Sequence, residues 1–147
     1  MKKGFTLLEI LIVIIIIAIL ATFAIPQYIR AAKRAIASEA ISVIGSIKGA
    51  LARYYQEHGA LPETFSSGED SWPLDIDDPA SVAGGANFSY TVSVTDSSSL
   101  SGYAITAIGE KTSRAAGLEV HYYGSDNTYE VLYNEERIAG TGTGGGS

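Results

Sequence analysis

From Phe5 to Ile25 the chain reads FTLLEILIVIIIIAILATFAI, 21 residues with a single charge, Glu9. A helix of that length rises roughly 31 Å, enough to cross the hydrocarbon core of a bilayer. The run is apolar on all sides rather than along one stripe, the pattern of a membrane span or a fully buried helix. With 147 residues in all, one modest domain can accompany such a segment. Lys2 and Lys3 precede the run, and Arg30, Lys33 and Arg34 follow it. Positive charge therefore flanks both ends, and charge alone does not set orientation.

Three readings compete for this segment. A secretory signal would end in small-x-small, which Thr22-Phe23-Ala24 supplies, and would release a soluble secreted domain. A plain membrane anchor has no use for an acid near its start. The third reading begins from Lys-Gly-Phe-Thr-Leu-Leu-Glu, residues 3 to 9. A very short basic leader ends in Gly4, Phe5 follows, and Glu9 is the fifth residue after the glycine.

In that order of leader, glycine, phenylalanine, acid and apolar run, the segment resembles the type IV pilin family, including the related pseudopilins of type II secretion. The match covers residues 2–27 closely and the following helix loosely. The resemblance implies cleavage between Gly4 and Phe5 by a prepilin peptidase, which then acts as methyltransferase on the new Phe5 amine. It also implies an inner-membrane stage, followed by polymerisation into a helical surface filament. The implied partners are copies of the chain itself, an inner-membrane assembly platform and its ATPases. A pilus subunit serving adhesion, motility or DNA uptake is the reading carried forward, with a pseudopilin as its alternative.

A carboxylate in hydrocarbon costs about 2.5–3.5 kcal/mol, so Glu9 needs a partner or a wet environment. After cleavage the Phe5 amine would be a cation one helical turn away, on the same face. The family resemblance implies that the acid instead meets the amino terminus of a neighbouring subunit, which would set the axial register. The plainer account places Glu9 in the first turn, favoured by the helix dipole and snorkelling to the headgroups. Ala18, Ala21 and Ala24 form a small-residue stripe that lets another helix approach. Pro26 has no amide hydrogen for the carbonyl of Thr22, which kinks or loosens a helix there. The resemblance makes residues 18–25 a segment that extends in the assembled filament.

Beyond Pro26, the residues Ile29, Ile36, Val43, Ile47, Leu51 and Tyr54 recur on one helical face. The pattern stops at His58-Gly59, with Pro62 close behind. The expected organisation is a leader at 1–4, a membrane or filament-core helix at 5–25 and an amphipathic helix at 26–58. A connecting loop at 59–87, pinned by Trp72 and Leu74, leads into a head of antiparallel strands at 88–140. A glycine-rich tail at 141–147 is expected to be flexible. Within the head, FSYTVSVT alternates strictly, GYAITAIG continues the pattern, and LEVHYYG and TYEVLY flank a turn at Ser125-Asp126-Asn127. The fold class is α+β, a long amino-terminal helix packed on an antiparallel sheet of about four strands.

Chemistry is sparse. The chain has no cysteine, which excludes disulfides, thiol catalysis and cysteine-ligated metals. Many major pilins close their carboxy-terminal region with a cysteine pair, so the chain departs from the family there. Asp70, Asp75, Asp77 and Asp78 invite a calcium reading, but their spacing fits no EF-hand loop. His58 and His121 sit in no metal or nucleophile motif, and no phosphate-binding glycine loop is present. From Tyr54 onward three basic residues face fourteen acids, a balance that repels nucleic acid. The expectation is a non-enzyme with no cofactor.

Overall fold

The computed structural model describes residues 4–69, 71–81 and 87–140. The chain divides into two compact units, Met1–Ala32 and Lys33–Ser147. One helix, α1 (Leu7–His58), contributes to both. It ends where Gly59 adopts a left-handed φ of 73° and donates its N–H to the Tyr55 carbonyl at 2.8 Å. That geometry satisfies a carbonyl the helix end would otherwise strand, and glycine adopts it without a Cβ penalty.

Six strands follow in a single antiparallel meander: β1 (Phe65–Ser66), β2 (Phe88–Val94), β3 (Tyr103–Gly109), β4 (Leu118–Tyr123), β5 (Thr128–Tyr133) and β6 (Glu136–Gly140). Every neighbour in the sheet is also a neighbour in sequence, and from β2 onward each pairing closes a short loop. Alternation sends Phe88, Tyr90 and Val92 of β2 into the core, with Ile105 and Ala107 of β3 and Leu118 and Val120 of β4 beside them. Across the sheet Tyr90 lies opposite Ala107, Ala107 opposite Val120, and Val120 opposite Val131. The bulk of the tyrosine is thus set beside an alanine, as close packing requires.

The sheet exceeds the expected four strands by two, and both additions have weak sequence signals. β1 is a two-residue pairing inside the Ser- and Gly-rich stretch, held by Phe65 against Val92. β6 carries one buried residue, Ile138, too few to show alternation. It is joined to β5 by a two-residue turn at Asn134-Glu135, both in left-handed conformation at φ 50° and 68°. Such a turn matches the strand twist but ordinarily uses glycine at its second position. Glu135→Gly is therefore expected to stabilise the head by about 0.5–1 kcal/mol, after the entropy cost of glycine is offset. Thermal unfolding of the two proteins would show this as a higher midpoint.

The helical face buried on the sheet also differs from the expected stripe. It is built of Ala37, Ala40, Ile44, Ile47, Ala50 and Leu51, with Ile36, Val43 and Tyr54 at its margins. Ile29 lies outside it and is exposed. A stripe chosen by large aliphatics overlooks alanines, whose small side chains let the helix approach closely. Ala40, fully buried, is expected to lose about 1–3 kcal/mol of stability as Ala40→Leu, through overpacking. Denaturant unfolding of the variant would measure it.

The connection between α1 and β2 is pinned to this core. Leu61 and Leu74 are buried, the Trp72 ring meets Phe65 edge-on at 5.1 Å, and its Nε1 donates to the Ile76 carbonyl at 2.8 Å. Burial pushes the phenols of Tyr90 and Tyr103 well above their ordinary value, with nearby Tyr122 adding to the rise at Tyr103. A folded-state pKa raised above the unfolded one favours the fold fully below about pH 10, and that contribution is lost as pH rises further. The head is accordingly expected to lose stability in alkali; near-ultraviolet circular dichroism against pH would follow it.

Candidate processing and assembly segment

The first helical turn is organised by Thr6. Its Oγ1 accepts the N–H of Glu9 at 3.2 Å, and its carbonyl accepts those of Glu9 at 3.1 Å and Ile10 at 3.3 Å. Thr6 is thus the N-cap of α1, in the Thr-x-x-Glu pattern that marks helix starts. Sequence reasoning passed over Thr6, although the threonine three residues before Glu9 carried the signal. Glu9 consequently sits in the first turn, where the helix dipole favours an acid. Its side chain is exposed, and its carboxylate has no partner among the described residues.

Gly4 and Phe5 precede the helix in irregular chain, both exposed. A Cβ built on Gly4 meets no atom within 4 Å, and the residue is not among those with positive φ. Nothing in the fold of this chain requires glycine at that position. Phe5 is 79% exposed, a large apolar surface directly beside Gly4.

The apolar surface continues along the helix. Leu7, Leu8, Ile10 to Ile17, Ile19, Leu20, Phe23 and Ile25 are all exposed. The helix is long and apolar enough to cross a membrane, and its most apolar window is not buried within the chain. An exposed surface of that extent is covered by lipid or by other protein. The Thr22 hydroxyl donates to the Ala18 carbonyl at 2.9 Å, and Pro26 offers no N–H to Thr22, yet α1 runs through Pro26 without interruption. Gly4, Phe5 and Glu9 lie within six residues of one another, while Pro26 follows 17 positions after Glu9 along α1.

Two of the acids in the connection, Asp75 and Asp78, have local structural duties. Asp75 accepts Nε and Nη2 of Arg53 at 2.7 and 2.9 Å, and that hydrogen-bonded guanidinium holds its carboxyl below the usual range. Asp78 accepts the N–H groups of Gly68 and Ala80 at 2.8 and 2.9 Å. Asp70 lies outside the described residues. His58 stacks on Tyr54, the ring centroids 4.1 Å apart, and His121 lies between Thr106 and Glu119 on the sheet. Among the described residues, no three of these side chains converge to hold a metal ion.

Comparison with known proteins agrees with this segment. Residues 1–25 match the model of the prokaryotic N-terminal methylation motif. The chain is 37% identical over 118 residues to the fimbrial protein EcpC of Eikenella corrodens, covering 80% of this chain and 69% of that one. It is 47% identical over 77 residues to the type IV major pilin protein PilE1 of Neisseria gonorrhoeae, 52% of this chain and 47% of the relative. The type IV major fimbrial protein FimA of Dichelobacter nodosus is 29% identical, over 97% of this chain and 89% of its own length. The chain thus spans about half the length of the gonococcal pilin it matches. No solved structure matches it. A methylation motif, one long apolar helix and an antiparallel sheet, with a fimbrial relative aligned over most of both chains, place this chain in the type IV pilin family.

Proposed function

We propose that this chain is the structural subunit of a type IV pilus. A prepilin peptidase cuts between Gly4 and Phe5 and methylates the new amine of Phe5. The helix from Phe5 to Ile25 holds the subunit in the inner membrane, until a platform protein and its ATPases draw it into a growing filament on the cell surface. In the filament, apolar helices form the core and the acidic sheets face outward. The contact between one subunit and the next is head-to-tail and does not close, which generates an open helix.

The observation that carries this reading is the exposed apolar helix with one unpartnered carboxylate in its first turn. Hydrocarbon or neighbouring helices must cover the aliphatic surface. Glu9 then needs a cation, which the Phe5 amine of a neighbouring subunit supplies once Gly4 is removed. Pro26 and the Thr22–Ala18 bond leave residues 18–25 the weakest part of the helical ladder, and this segment extends on assembly. The protein is a substrate of proteolysis and methylation and catalyses nothing itself.

The test is the intact mass and amino-terminal sequence of the protein from its native cells. A chain beginning at Phe5 with one added methyl group supports the proposal. A chain beginning near Ile25 would mean a signal peptide and a released domain, and the filament reading would fall.

A further inference from the structure

We propose that the wedge between α1 and the β4–β5 hairpin binds a small organic monocarboxylate, an apolar body ending in one carboxylate. This site lies wholly within the unit Lys33–Ser147, away from Gly4, Phe5 and Glu9. A cavity of about 340 Å³ opens there, lined by Ile41, Ile44, Gly45 and Lys48 of the helix and by Val120, Tyr122, Asn127 and Tyr129 of the hairpin. The volume stands at the small end of ligand sites. The four helical residues share one face by their spacing. Tyr122 and Tyr129 are direct cross-strand partners, which puts their side chains on the same side of the sheet.

Lys48, Tyr122 and Asn127 bring their donors together in the wedge. Lys48 Nζ lies 4.2 Å from the centroid of the Tyr122 ring and donates to Asn127 Oδ1 at 2.9 Å. The Tyr122 hydroxyl donates to the same oxygen at 3.0 Å. Two donors fill both lone pairs of Oδ1 and orient the amide. The two N–H groups of the Asn127 side chain then have no acceptor among the described residues. Asn127 is held in left-handed conformation at φ 55°, at the tip of the hairpin.

Among the described residues, no acid lines the cavity. By contrast Arg53 pairs with Asp75 and Arg137 with Glu130, in a chain with a net charge of −6. One ammonium and one amide N–H pair, unmatched by any carboxylate, complement a single negative charge with two acceptor oxygens. A dianionic phosphate would keep an uncompensated charge in an acidic head. The aliphatic and tyrosine walls fit an apolar body. Gly45 keeps the wedge open, since a Cβ there meets nothing within 4 Å.

The test uses the full chain in lipid nanodiscs, titrated with 3-phenylpropionate and with its neutral analogue 3-phenylpropanamide. The nuclear magnetic resonance signals of the Asn127 side-chain amide report binding, and the neutral analogue controls for partition into lipid. The acid is expected to shift them saturably, with affinity about tenfold or more above the amide, the worth of a charge-assisted contact. Lys48→Met, which keeps the apolar stem, is expected to abolish that preference. Gly45→Leu, which favours the helix, is expected to fill the wedge and weaken both probes. Equal affinity for acid and amide, an unchanged titration in Lys48→Met, or no saturable shift in the wild type would each overturn the proposal.

Discussion

Replacing Gly4 with a bulky residue such as leucine is expected to leave the chain uncleaved in the membrane, with mature protein falling at least a hundredfold. The residue has open space around it and no left-handed backbone, so the variant should fold and insert as the parent does. On the proposed function, a block then arises at the peptidase that reads the junction rather than in the fold of the chain. Intact-mass measurement of the membrane fraction gives the ratio of precursor to mature chain. Normal maturation of the leucine variant would mean that another protease sets the amino terminus.

Glu9→Ala is expected to insert and mature normally while filament yield drops below detection. Removing the carboxylate lowers the cost of burying the first turn in lipid, and Thr6 still caps the helix through the Glu9 backbone N–H, which alanine retains. On the proposed function, what is lost is the partner of a charged amine in an apolar filament core. Breaking a buried pair from one side costs about 3–5 kcal/mol, or a factor of a hundred or more at each subunit contact. Electron microscopy of sheared filaments, with a membrane-fraction blot as the insertion control, separates the two steps. Wild-type filaments from the alanine variant would remove the pairing argument while leaving the cleavage argument in place.

Legibility in the sequence followed the strength of local physical signals. Phe88, Tyr90 and Val92 alternate so regularly that β2 and its buried face were readable, and the left-handed cap at Gly59 was readable from the glycine after the helical pattern. The four longer strands were visible for the same reason. β6 was not, because Ile138 alone carries its burial and its turn uses Glu135 where glycine would have announced it. The alanine face of α1 has a weak sequence signal for a different reason: Ala37, Ala40 and Ala50 contribute little hydrophobicity individually, and their value lies in the close approach they permit. Thr6 was legible in principle from Thr-x-x-Glu, a pattern that the charge of Glu9 within an apolar run overshadows.

The sequence by itself determined that residues 5–25 need an apolar environment, that one acid within them needs an account, and that α1 and the longer strands share a core. These follow from periodicity and from the cost of charge in hydrocarbon, which act over a few residues. Only the tertiary structure decided which side chains meet across long separations. Lys48 reaches Asn127 from 79 positions away, and the Arg53–Asp75 pair reassigns an aspartate that looked like a metal ligand. Such meetings depend on register and on how closely the helix lies to the sheet. Both are set by the packing of alanines and tyrosines together, and no local pattern encodes that sum.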